Sequence, residues 1–520
     1  MGGQPVGYAR PVMSMSFLRP WSAPGRLVAL LVPLCLLSLA CPEDDPPPSP
    51  PVEDPNAVTG HRTLHRRLES GDVRTTDATG VLSTLTVLVP TGDTFETRQV
   101  ISMDADTFKF ENVPQGTYYL RRGTGSYVIT EQRELDLDES VLGREGVVTV
   151  AADIPVTLSV DGLAPMDAGQ DLEVVAPNAG AAGTLDLGSA ASAGATAITG
   201  QRVEYRSAFG RQEVIDGTQG DRLYLLQHLR RTEGAFNYQS VVRALILNEV
   251  TFRADGQAAT VSGTFSAVAP QPITLDWRRS SFEAHRAAAH PLAVPLTASS
   301  VRQSLILAPA VGGTAEGAVG YAGELLSGNI TAGNEDVSIP MEYGNPYPAT
   351  WGVVASVVHR YQVPLRLPGT TGTVGVSLKD QAELGTFLSR PVQARLSPPN
   401  SLQVNGRNAQ EEQDLASLTP LFTWEPPMLG TADAYELRIF RLYTEPTAPT
   451  VTFAETVATF LTAQRRVRVP PGVLRTGESY VVRIGAMHTP GVDLTRTPYR
   501  LNTLVDYALA ESVTSVLHAP

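Results

Sequence analysis

The sequence predicts an all-β protein, several β-sandwich domains in series behind an N-terminal leader, and three observations carry that expectation. Short runs of alternating apolar and polar residues recur between Gly, Pro, Asn and Asp clusters through most of the 520 residues. An aromatic hairpin signature stands at Asp106–Leu120, and dispersed Trp, Tyr and Leu landmarks stand near the C-terminus. A hydrophobic fraction of 42% with only 18% charged residues gives such strands enough apolar surface to bury as cores.

The leader comes first. Leu27–Ala40 carries no charge and follows Arg10, Arg19 and Arg26, while no Asp or Glu precedes Glu43. Fourteen residues are short for a bilayer span, which takes about 20, and suit the apolar core of a signal peptide. Met13 and Met15 are alternative starts. The end of the run, a Leu-rich stretch with Ala40 directly before Cys41, resembles a bacterial lipobox. That resemblance implies cleavage after residue 40 and diacylglycerol on the Cys41 thiol. Ser38 departs from the pattern, which prefers Leu there, and Ser38-Leu39-Ala40 also fits ordinary signal peptidase cleavage. The tail that follows, PEDDPPPSPPVEDPN, is an acidic, stiff, extended spacer with nothing to bury. Such a tether holds domains off a membrane, which favours lipidation.

Removing the leader deletes three arginines and no acids, so the formal charge moves from −13 to −16. That balance excludes nucleic acid as a partner, because phosphate binding needs a basic patch. It also leaves membrane attachment to the lipid rather than to charge. Cys35 leaves with the leader, so the mature chain has no disulfide framework and no Cys-based metal site.

Residues 57–140 read as the first β unit. Phe108 and Phe110 stand two apart on one strand face, Asn112-Val113-Pro114-Gln115-Gly116 makes a turn, and Tyr118 and Leu120 return two apart. This run resembles the last hairpin of the carboxypeptidase regulatory-like (transthyretin-like) sandwich, across about 57–122, with Thr107 standing where that family usually has Gly. The resemblance implies a non-catalytic spacer module. Residues 141–395 are the least legible, a β-rich region of one or two subdomains with runs such as Val156–Val160, Val203–Tyr205, Arg222–Leu226, Ala258–Phe265 and Val374–Leu378. Asn178–Gly200 reads as a Gly/Ala/Ser loop, and Ser281–His290 and Ala315–Leu326 as short helices. In residues 396–520, Trp424, Tyr435, Leu437, Ile439, Leu474, Gly477 and Tyr480 resemble the landmarks of a fibronectin type III domain. The resemblance implies a tyrosine corner at Tyr480, its phenol bonded to upstream backbone.

The search for chemistry returns little. Nucleophile elbows, H-E-x-x-H and the P-loop are absent from the sequence. His285 and His290 are five apart, on different helix faces, and read as surface residues at a helix end. His61 and His65 sit in an expected strand, about 13 Å apart on one face and too far to share a metal. Asp216–Asp221 reads as a Gly-bearing turn rather than a calcium loop. The candidate ligand-binding residues are Tyr343, Tyr347 and Trp351, whose rings on a Pro-rich loop are suited to stacking on sugars; the same rings also close the ends of sandwiches. No catalytic residue, metal or cofactor is expected.

The expectation is a non-catalytic Gram-negative envelope lipoprotein, anchored at the outer membrane or cell surface, with scaffold or binding surfaces for a protein or glycan partner. The alternative is a secreted carbohydrate-active enzyme whose catalytic unit is the middle region. Two convergent carboxylates in a pocket beside Trp277 or Trp351 would mark it.

Overall fold

The computed structural model describes residues 54–77, 82, 84–102, 104–296, 301–313, 323–365, 367 and 369–520. The leader, Cys41 and the spacer lie outside the described residues. The described residues are 53% strand and 7% helix, arranged as several sheets in sandwich-like layers, so the all-β expectation holds. No helix among the described residues is long and apolar enough to cross a membrane.

In the first unit, alternation puts Phe108, Phe110, Tyr118 and Leu120 into one core with Val58, Val87 and Leu135, none of them more than 2% exposed. One layer orders Ile101–Ser102, Thr107–Phe110, Val58–His61 and Glu134–Asp136; the other orders Thr94–Gln99, Leu85–Thr91, Tyr118–Arg122 and Ser126–Thr130. The turn between the aromatic strands places Gly116 at φ +105° and Asn112 at φ +56°, both left-handed.

The middle region contains two arrangements. Strands Ile154–Asp161, Ile198–Ser207, Ala181–Asp186, Leu172–Ala176, Leu223–Glu233 and Phe236–Leu247 pair in that order. Ala259–Thr264 and its continuation Ser266–Ala267 close the ring back onto Ile154–Asp161. Val156, Leu158, Val174, Tyr205, Leu225 and Val261 fill it. The supposed loop at Asn178–Gly200 therefore contributes a strand, Ala181–Asp186. Its small residues are what the site demands, since a Cβ on Gly183 would lie 2.1 Å from the Arg206 carbonyl oxygen. Next, strands Leu326–Ile330, Gln303–Ala310, Gly352–Leu365 and Gly372–Glu383 form a sheet packed against the pair Pro270–Trp277 and Val337–Gly344. The helix expected over Ser281–His290 is present as two short ones, Arg279–Glu283 and Arg286–Ala289. Most of Ala315–Leu326 lies outside the described residues, and Leu326 opens a strand.

In the last unit, Asn400–Val404, Leu421–Glu425 and Arg466–Arg468 form one layer. Ala448–Thr462, Ala434–Glu445, Ser479–His488 and Tyr507–Val513 form the other. Trp424 meets Tyr435 edge-on at 5.3 Å between them. The Tyr480 hydroxyl accepts the Arg475 N–H at 2.8 Å and donates to Glu478 at 2.8 Å.

The units are not beads on a string. Ser126–Thr130 of the first unit pairs in parallel with Ala448–Thr462 of the last, Tyr507–Val513 pairs with Gly372–Glu383, and Phe236–Leu247 belongs to both the ring and the neighbouring sheet. Hydrogen bonding thus runs without a break through 23 strands.

His290 lies at one of these seams and is 1% exposed, which corrects its reading as a surface residue. Its Nδ1 accepts the Leu292 N–H at 3.0 Å, so Nε2 carries the proton and donates to Ser515 Oγ at 3.2 Å; that hydroxyl donates onward to the Gln410 carbonyl. Burial pushes the imidazole down to about 4 from 6.5. The unfolded chain therefore takes up this proton first as pH falls, and folding stability drops between pH 6.5 and pH 4. The loss expected from this one ring is about 3 kcal/mol. Urea midpoints measured at pH 7 and pH 4.5 should converge partly in His290→Gln relative to the native chain; an unchanged difference would remove the assignment.

Candidate functional site

The three candidate aromatics are drawn into packing. Tyr343, Tyr347 and Trp351 are 4%, 6% and 4% exposed. Tyr343 donates its hydroxyl proton to Gln271 at 2.8 Å. Tyr347 stacks on Trp351 at 4.8 Å and tilts against Tyr224 at 5.1 Å. The Trp351 indole N–H donates to the Glu69 carbonyl at 3.1 Å. The ring faces that suit a sugar are thus turned onto protein, because the loop lies where the first unit, the ring of strands and the sheet after it meet. Trp277 is likewise fully buried.

Beside this cluster a cleft of about 430 Å³ opens, lined by Glu69, Asn178, Asp221, Arg222, Asn248 and Thr350 among others. Its two carboxylates are both engaged. Asp221 receives Arg144 through Nε and Nη2, each at 2.8 Å, and the Asp216 N–H at 2.8 Å. Glu69 receives Arg222 and the Tyr224 hydroxyl, each at 2.6 Å. Burial first, and then Glu69, raises the Tyr224 phenol. Glycoside hydrolysis asks one carboxyl to hold a proton and the other to attack or activate water. Both carboxylates are committed to arginine, Glu69 stapling the first unit to the ring of strands and Asp221 bonding within the middle region.

Sequence reasoning missed a different constellation. The strand expected to carry both His61 and His65 breaks at Arg62, whose side chain turns inward to Glu139 at 2.8 Å. Val58–His61 pairs with Glu134–Asp136, and Thr63–Arg67 pairs with Glu139–Leu142, so the gap on each side leaves Asp138 opposite the break. The 13 Å separation of an unbroken strand no longer governs, and both rings reach one carboxylate. His61 Nδ1 lies 3.1 Å from Asp138 Oδ1, and His65 Nε2 lies 2.9 Å from Oδ2. The Thr63 N–H donates to Oδ1 at 2.7 Å, and the Asp138 N–H donates to Asp136 Oδ1 at 2.9 Å. Burial works against the Asp138 charge, but hydrogen bonds from His65, the Thr63 amide and His61 outweigh it and hold the carboxyl below its usual range. The last unit closes the site from one side, with the Asp136 N–H bonded to the Arg496 carbonyl and Arg500 at 3.4 Å from Asp136 Oδ2.

No known family matches the sequence, and no curated protein matches it. Among solved structures, the chain matches a streptococcal ancillary pilin at 9% identity and a TM-score of 0.10, over 61% of this chain and 95% of that one.

Proposed function

We propose that this chain is a non-catalytic lipoprotein of the cell envelope, moored by acylated Cys41, that serves as a rigid scaffold or binding surface for a protein or glycan partner. The observation that carries the reading is the hydrogen-bonded sheet that passes through every unit, which makes one stiff body of modules that otherwise swing on linkers. The Leu-rich run ending at Cys41 and the acidic proline spacer support the mooring. The strand order and the Tyr480 bond support a fibronectin type III relationship for residues 396–520. The Phe108–Leu120 hairpin supports a regulatory-like one for the first unit. Modules of both kinds recur outside cells as spacers, an analogy that sets expectation only.

Fractionation of cells tests the mooring. The native chain is expected in the membrane pellet with a diacylglycerol mass on its first residue, and Cys41→Ala in the soluble fraction. A variant that still sediments would refute the lipid anchor.

A further inference from the structure

We propose that His61, Asp136 and Asp138 bind one divalent transition-metal ion, Zn²⁺ fitting best, with His65 acting as the residue that positions Asp138. One ligand atom from each of the three lies within 4.8 Å of the other two. Ligands around tetrahedral zinc, with bonds near 2.0–2.2 Å, stand roughly 3.4 Å apart, so small side-chain rotations close the set. His61 Nδ1 and Asp138 Oδ1 are already at 3.1 Å, and the metal takes the place of the proton between them. That displaced proton goes to the other ring nitrogen or to solvent, as metal binding to imidazole requires.

The donor chemistry decides the ion. Two carboxylates balance a divalent charge, while the imidazole favours zinc and its first-row neighbours over Ca²⁺ and Mg²⁺, which take oxygen. Three protein ligands leave a coordination position for water. Support comes from groups that do not touch the metal. His65 and the Thr63 amide hold the two oxygens of Asp138, the arrangement by which outer partners orient ligating groups. His61 and His65 side chains are 43% and 30% exposed, so the ion has a way in. Among the described residues Arg500 is the cation that competes for Asp136; at 3.4 Å and 56% exposed it can swing to solvent.

The site also has a mechanical meaning, because Asp136 is bonded to Arg496 and Arg500 of the last unit. An ion held there ties the edge of the first unit beside the seam between them.

Calorimetric titration of tag-free, chelator-treated full chain with ZnCl₂ tests this. One saturable equivalent is expected, undisturbed by millimolar Ca²⁺ or Mg²⁺, with an upward shift in melting temperature as the ion fills the folded state. Asp138→Asn and His61→Ala should each weaken binding at least 100-fold. His65→Ala should weaken it about 10–100-fold while keeping one equivalent. His488→Ala, at an unrelated His–Asp pair, should bind like the native chain. Binding without saturation, or native-like binding by Asp138→Asn and His61→Ala, would overturn the proposal. X-ray absorption of the native zinc complex reads the same assignment without any variant. A nitrogen and oxygen shell with one imidazole is expected, and a shell with none or with two overturns it.

Discussion

Phe460→Ala is expected to destabilise the chain by about 3–5 kcal/mol and to split one unfolding transition into two. Phe460 is fully buried in the strand Ala448–Thr462, where residues Thr459–Thr462 pair with Ser126–Ile129 of the first unit. Its ring stacks on Tyr127 at 4.6 Å with planes 10° apart and meets the edge of Tyr119 at 6.5 Å. Tyr119 in turn bonds the Arg468 backbone twice, its hydroxyl donating to the carbonyl and accepting from the amide, each at 3.1 Å. Removing the ring therefore opens a void that both units line. What then couples them is a short parallel ladder, a weak link, with polar contacts at its margins such as Tyr119 with Arg468 and Asp136 with Arg496. Differential scanning calorimetry reads the outcome. A single transition at the native midpoint would mean that the seam contributes nothing to cooperativity.

Arg279→Met should cost about 3–4 kcal/mol, although it deletes a buried charge. Arg279 is 1% exposed, and its guanidinium donates to Gln303 Oε1 and to the backbone carbonyls of Ala332, Gly333 and Glu335. Two effects oppose each other. Burial disfavours the guanidinium charge, as its lowered pKa records, so deleting it returns some desolvation energy. Against that, four acceptors lose a charged donor, each stranded group costing roughly 1–3 kcal/mol. The acceptors outnumber the charge, and the loss wins. Guanidinium chloride titration of the native and variant chains checks it; equal midpoints would show that water satisfies those carbonyls in the variant.

The two ends of the chain were the readable parts, for a common reason. Phe108, Phe110, Tyr118 and Leu120 alternate on strands with one buried face, and so do Tyr435, Leu437 and Ile439, so side-chain period alone names the core. Strands were legible in the middle, since Val156–Val160, Val203–Tyr205 and Val374–Leu378 all fall inside observed ones. Their closure into a ring was not, because it depends on pairings such as Val156 with Ala259 that no local pattern encodes. Ala181–Asp186 was hidden by its own fitness: a strand that must let backbone approach closely uses Gly and Ala, which look like a linker.

The candidate site residues turn on contacts that lie far apart along the chain. Tyr347 and Trp351 on a Pro-rich stretch suit a stacking platform or a plug between units, and only the neighbours Tyr224 and Glu69, remote in sequence, decide between them. An unbroken strand would hold His61 and His65 too far apart to share a partner, and the break at Arg62 reverses that distance argument. A polar, chargeable residue in mid-strand that turns inward was the one available signal, and its partner Glu139 lies too far along the chain to suggest it.

The parallel pairing of Ser126–Thr130 with Ala448–Thr462 also sets an order of events. Synthesis delivers the first of these strands long before the second, so its open edge waits with bare N–H and C=O groups facing solvent. Contacts of such wide separation in the chain form slowly, and waiting edges invite mispairing between neighbouring copies. This polypeptide should need a holding chaperone until its last hundred residues arrive, and refolding yield should fall steeply as its concentration rises.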